Sequence, residues 1–162
     1  MIVPSRRPGR GALGYLLAAV SGAGLAACSS YAGGTLGAQV KSWAASTSFW
    51  SQADTIGQDA QRVDVVERSG GGAAVRADCI VLSDDTRGAY QLLPSPDAGL
   101  TARLDTALST EQDAAADCFR SAAGDSTLRD RSARERSAAA DALAAARAQF
   151  DTLTAGLPRT SP

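Results

Sequence analysis

The chain has 162 residues, 16 basic against 17 acidic, with three cysteines, no histidine, and Met1 as its only methionine. These absences exclude haem ligation by His or Met, the Glu-x-x-His arrangement of di-iron bundles, and every serine–histidine triad. The slight acidic excess gives no electrostatic reason to expect nucleic-acid binding.

The first thirty residues have the parts of an export signal. Met1–Arg10 carries Arg6, Arg7 and Arg10 and no acid, and an uncharged run rich in Leu, Ala and Gly follows from Ala12 to Ala27. That run is short beside the roughly 20 apolar residues of a membrane span. Leu25-Ala26-Ala27-Cys28 closes it. This tetrapeptide resembles the lipobox of bacterial lipoproteins: a branched apolar residue, two small residues that let a peptidase reach the backbone, and the cysteine that takes diacylglycerol. The resemblance implies cleavage before Cys28, lipid on its thiol, and a place on the outer face of the cytoplasmic membrane. Two or more acyl chains hold firmly where one does not. Ser5-Arg6-Arg7 also resembles a twin-arginine signal, but Pro8-Gly9-Arg10 stands where apolar residues are expected, so the general secretory route is favoured over it.

Without residues 1–27 the chain keeps 135 residues, 13 basic against 17 acidic, for a formal charge near −4. That length suffices for one domain with a core. Alanine is abundant, Lys41 is the only lysine, and Asp far outnumbers Glu, a bias that resembles high-GC actinobacterial sequences. Residues 28–34 form a short flexible tether.

Helix periodicity then dominates from 35 to 155, with no convincing strand alternation. Helix A is expected from Thr35 to Arg68. Leu36, Val40, Trp43, Thr47 and Trp50 fall on one face, and Ala53, Ile56, Ala60 and Val63 continue it after a phase shift. Gly57 is the expected bend or split, and Gly70-Gly71-Gly72 ends the segment. Helix B, about Ala73 to Leu93, carries Val75, Cys79, Leu82, Thr86, Ala89 and Leu93 in one stripe. Pro94-Ser95-Pro96-Asp97 forces a turn, with Ser95 the expected N-cap and Pro96 the first helical residue. Helix C, Pro96 to Ala123, aligns Leu100, Leu104, Leu108, Glu111, Ala115, Cys118 and Ala122. Gly124 stops it, and Asp125 or Ser126 caps helix D, Ser126 to Thr154, whose second half aligns Ala139, Leu143, Ala146, Phe150 and Leu153. Residues 156–162 are expected to be a disordered tail. The fold class is therefore all-α, an up-down-up-down four-helix bundle behind a signal peptide and tether.

With Cys28 taken by lipid, Cys79 and Cys118 remain for each other in an oxidising compartment. An ideal hairpin about Pro94–Pro96 would offset them by about seven residues, near 10 Å, whereas bridged Cα atoms lie within about 7 Å. The gap closes if helix C starts nearer Leu100. Two buried free thiols are the alternative.

Three further constellations have a functional and a plain reading. Trp43, Phe49 and Trp50 read as a ligand pocket or a lipid-headgroup contact, or as core packing, which the seven-residue spacing of the tryptophans favours; Phe49 falls beside the stripe. Asp84-Asp85 and Asp113/Asp117 read as a hard-cation site or as solvated helix faces. Neither pair matches an EF-hand loop, so the solvated reading is favoured and no metal is expected. The mixed-charge run Arg129–Arg136 reads as a site for an anionic wall polymer or as a solvated face with local ion pairs, the latter favoured.

The lipobox, the turn Leu93-Pro94-Ser95-Pro96-Asp97 and one cysteine in each flanking helix together resemble small actinobacterial lipoproteins with an all-helical domain of unknown function. The resemblance carries no catalytic residue and no cofactor to this chain. The favoured reading is a non-enzymatic, lipid-tethered envelope protein that engages a protein or wall component through a helix face. The alternative is a carrier of a small apolar ligand in an interhelical cavity near Trp43 and Trp50.

Overall fold

The computed structural model describes residues 34–69 and 71–157. The signal segment 1–27 with Leu25, Ala26 and Ala27, the lipobox Cys28, nearly all of the tether and most of the tail lie outside the described residues. Among the described residues there are five helices and no strand: α1 Leu36–Thr47, α2 Phe49–Ser69, α3 Gly72–Tyr90, α4 Ala98–Ser121 and α5 Ser126–Thr154.

The four expected helices become five because helix A is two elements, and the break falls at Ser48 rather than Gly57. Ser46 and Thr47 both turn their hydroxyls back onto the Trp43 carbonyl, at 3.1 and 2.8 Å, a local bond that competes with the helical ladder. Ser48 then adopts the left-handed conformation (φ 53°), and its N–H donates to the carbonyls of Ala44 and Ala45. Gly57 sits inside α2. The break resets the helical phase, so Phe49 points into the core and is fully buried, while Trp50 is only half-buried.

The turn between α3 and α4 also differs from expectation. Asp97, not Ser95, caps α4: its Oδ1 accepts the Leu100 N–H at 2.6 Å and the Gln149 amide at 2.9 Å. A carboxylate suits the positive end of a helix better than a hydroxyl does. Ser95 braces the loop instead, donating to the Asp97 carbonyl at 2.8 Å and lying 2.9 Å from the Thr101 hydroxyl. The Trp43 indole N–H donates to the Leu92 carbonyl at 3.0 Å and so ties this loop to α1.

Cys79 and Cys118 form a disulfide with Cα atoms 5.9 Å apart. The expected offset is absorbed because α4 begins at Ala98 and overhangs the end of α3. Tyr90, the last residue of α3, thus hydrogen-bonds Asp105, and Gln112 donates to Ser83 at 2.6 Å in the same register. The core runs through Leu82, Leu100, Leu104 and Leu108. Ala107, Ala114, Ala139 and Ala146 are fully buried, and their small side chains let α4 and α5 approach until the Ser132 hydroxyl reaches the Ala114 carbonyl at 2.7 Å. Helix α2 packs on α3 and α5, and α1 packs on α5 and α2.

Candidate functional site

The aromatic residues expected near the start of the domain do come together, and they fill their own space. Trp43 and Phe49 lie with ring centroids 5.1 Å apart, Phe49 and Trp50 at 5.2 Å, and Trp50 and Phe150 at 5.3 Å. Trp43 and Phe49 are buried. Phe49 is thus a core residue, which corrects its placement beside the stripe. Trp50 carries the Arg147 guanidinium over its outer face, 4.5 Å from the ring centroid, and Arg147 is held there by Asp54 at 2.9 Å. Mutual edge and tilted contacts of this kind are the ordinary stabilising geometry of packed rings.

A different surface is open. Between α3 and α4, beside the disulfide, lies a groove of about 500 Å³ lined by Cys79, Ile80, Ser83, Ala115 and Phe119, with Asp84, Arg87 and Arg120 at its edge. Ile80 and Phe119 are 48% and 43% exposed. Both lie one residue past a cysteine, about 100° further round the helix, so burying the cysteines turns these two side chains outward. Arg76 covers part of the Phe119 ring, 5.7 Å from its centroid.

The third feature overturns the solvated reading of the Arg129–Arg136 run at its C-terminal end. Arg136 is buried, and its guanidinium donates to Ser132 at 2.6 Å, to Asp64 at 2.6 Å and to Glu67 at 2.7 Å. Ser132, Arg136, Ala139, Leu143 and Ala146 extend the inner stripe of α5 at alternating four- and three-residue steps, the signal that would have placed Arg136 inside. Glu111 enters the same region from α4 and is 2% exposed. Burial pushes its carboxyl up to about 7; Arg136 opposes that shift and Asp64 adds to it. Glu111, Arg136 and Asp64 face a groove of about 310 Å³ walled by Ile56, Gly57, Ala60 and Leu143.

The remaining acids divide. Asp117 was expected on a solvated face but is buried and paired with Arg131 and Arg120. The hydrogen bond from Arg131, then that from Arg120, outweigh its burial and hold its carboxyl below the usual range. Asp84 and Asp113 are exposed, Asp84 paired with Arg87 at 2.8 Å. Asp59, buried against Asp85, is pushed up to about 6 by burial and by that neighbouring carboxyl. Among the described residues no group of three His, Cys, Asp or Glu is placed to hold a metal ion, and no helix is long and apolar enough to cross a membrane.

No known protein family matches the chain, and no curated protein or solved structure is similar to it.

Proposed function

We propose that this chain is a non-catalytic interaction module of the bacterial envelope, exported by its signal segment, lipidated on Cys28 and held on the outer face of the cytoplasmic membrane. In this reading α2 to α5 form an up-down-up-down bundle, with α1 a broken extension of its first helix. The observation that carries the binding role is the exposed Ile80–Phe119 groove, an apolar surface set against a disulfide that keeps it in shape. Contiguous apolar surface of this sort marks contact sites. Its rim carries Arg76, Arg87 and Arg120 together with Asp84, which pairs with Arg87, while Arg120 pairs with Asp117. The occupant that fits is a polypeptide segment of an envelope protein presenting an apolar side chain to Ile80 and Phe119. A wall polymer would leave the apolar floor unused. The packed contacts of Trp43, Phe49 and Trp50 favour this reading over an apolar-ligand carrier at that position.

A photo-crosslinking residue at Ile80, in the membrane-anchored protein within its native envelope, should give a discrete protein adduct that Phe119→Asp removes. The same residue at exposed Ala144 should give none. Equal labelling from both positions, or an Ile80 adduct indifferent to Phe119→Asp, would refute the proposal. For the anchor, Cys28→Ala should abolish lipid labelling and leave an uncleaved or mislocalised precursor; unchanged labelling would refute lipidation there.

A further inference from the structure

We propose that the groove between α2, α4 and α5 is a binding site for a small organic cation with a short apolar body, a primary aliphatic amine being its simplest member. It is separate from the α3–α4 groove and does not depend on it.

The polar floor is built and incompletely satisfied. Glu111 Oε1 and Arg136 Nε, both on residues that line the groove, are buried without a hydrogen-bond partner. Buried polar atoms in folded proteins are nearly always paired, and each orphan is unfavourable. The Glu111 oxygen is an acceptor, so a ligand that satisfies it must bring a donor. Charge points the same way. The Arg136 guanidinium already faces the carboxylates of Asp64 and Glu67, and Glu111 brings a third acid to the one cation. An ammonium group donating to Glu111 would supply both the hydrogen bond and the absent positive charge. An anion would be repelled by the carboxylates of Glu111 and Asp64. A metal ion would need a set of ligands that the described residues do not assemble.

The walls set the rest of the ligand. Ile56 and Ala60 on α2 and Ala140 and Leu143 on α5 are apolar, so a short hydrocarbon body can lie against them while the ammonium reaches the floor. At the mouth is Gly57, where an added Cβ would meet nothing within 4 Å. Glycine in a helix interior is unfavourable against alanine. Here it leaves the entrance clear. Binding should also follow pH. The groups facing Glu111 are Asp64 from α2 and Arg136 from α5, and burial keeps Glu111 protonated to about pH 7. A cation selects its ionised form, so affinity rises as pH passes upward through 7.

The test is calorimetric titration of the full-length protein with butylammonium chloride at pH 6 and pH 8, with n-butanol as the uncharged control. Saturable butylammonium binding is expected, at least threefold tighter at pH 8 and at least tenfold tighter than butanol. Glu111→Gln should weaken it tenfold or more. Gly57→Leu, which fills the mouth and leaves every polar group in place, should abolish it with the helical circular-dichroism signal unchanged. No saturable binding to the folded protein would overturn the proposal, leaving water to satisfy the floor. Equal affinity for butanol, or binding indifferent to Gly57→Leu, would overturn it as well.

Discussion

At the scale of single residues, two glycines on helices make opposite predictions. A Cβ at Gly37 would collide with the Leu153 backbone carbonyl, because α1 and α5 touch there through their backbones. Gly37→Ala should therefore lower stability by about 2 kcal/mol as α1 is pushed away from α5. At Gly57 the added methyl enters open space, and Gly57→Ala should raise stability by about 0.5–1 kcal/mol. Urea unfolding of the two variants beside the parent measures both signs at once. Glu111 makes a pH-dependent prediction. Its carboxyl moves from an ordinary value of 4.5 to about 7 in the folded protein, so between those values the folded state holds a proton that the unfolded state releases. Stability from this group is full below pH 4.5 and falls as pH rises to about 7, by on the order of 3 kcal/mol. Glu111→Gln removes that loss. The variant's advantage over the parent should grow from pH 4.5 to 7 and then level off; a gap that stays constant with pH would show that Glu111 does not titrate in this window.

At the scale of elements, the helices of the second half were legible because their stripes are long and their ends are marked. Asp125 caps α5, accepting the Thr127 and Leu128 N–H groups, and Gly124 before it has a positive φ. The first half was harder to read. The eye goes to Gly57 as a breaker, yet a glycine inside an otherwise favourable helix costs only about 1 kcal/mol. Three hydroxyl residues in a row at Ser46, Thr47 and Ser48 are the stronger signal, since each offers the backbone a competing partner. The Ser48 conformation is disfavoured for any residue with a Cβ. Ser48→Gly should therefore stabilise the protein by about 0.5–1 kcal/mol, read as a higher melting temperature, and a fall would mean that the break is held by the serine itself. The buried charges were the least legible. Sequence pattern reports whether a side chain can reach the core, whereas burial of Arg136 and Asp117 depends on carboxylates and guanidiniums supplied by other helices. Glu111 falls on the inner stripe, but the charged groups that face it lie on α2 and α5 and are set only by the fold.

At the scale of the whole molecule, the disulfide holds together a core with few large side chains. Alanine supplies much of the buried surface of α4 and α5, and each buried methyl contributes far less than a leucine. Cross-linking residues 39 apart removes unfolded-state freedom worth on the order of 4 kcal/mol by the chain-entropy estimate. Replacing both cysteines with alanine should reduce unfolding stability by about that much, measured by urea titration under oxidising conditions. A loss below 1 kcal/mol would mean that the alanine packing is sufficient by itself. The same bond constrains the apolar groove, so the double variant should also lose the Ile80 crosslink if that groove is the contact site.

The close approach of Gly37 to Leu153 has a mechanical side as well. It places the start of α1 beside the end of α5, so the two ends of the described chain leave from neighbouring points. A pull applied between them would open the α1–α5 contact one turn at a time, the geometry in which helices part at low force. The yielding would then stop short. The residues between Cys79 and Cys118 cannot join the extending strand while that bond is intact, so the second part of α3, the loop after it and most of α4 stay out of the extension while the arms on either side stretch.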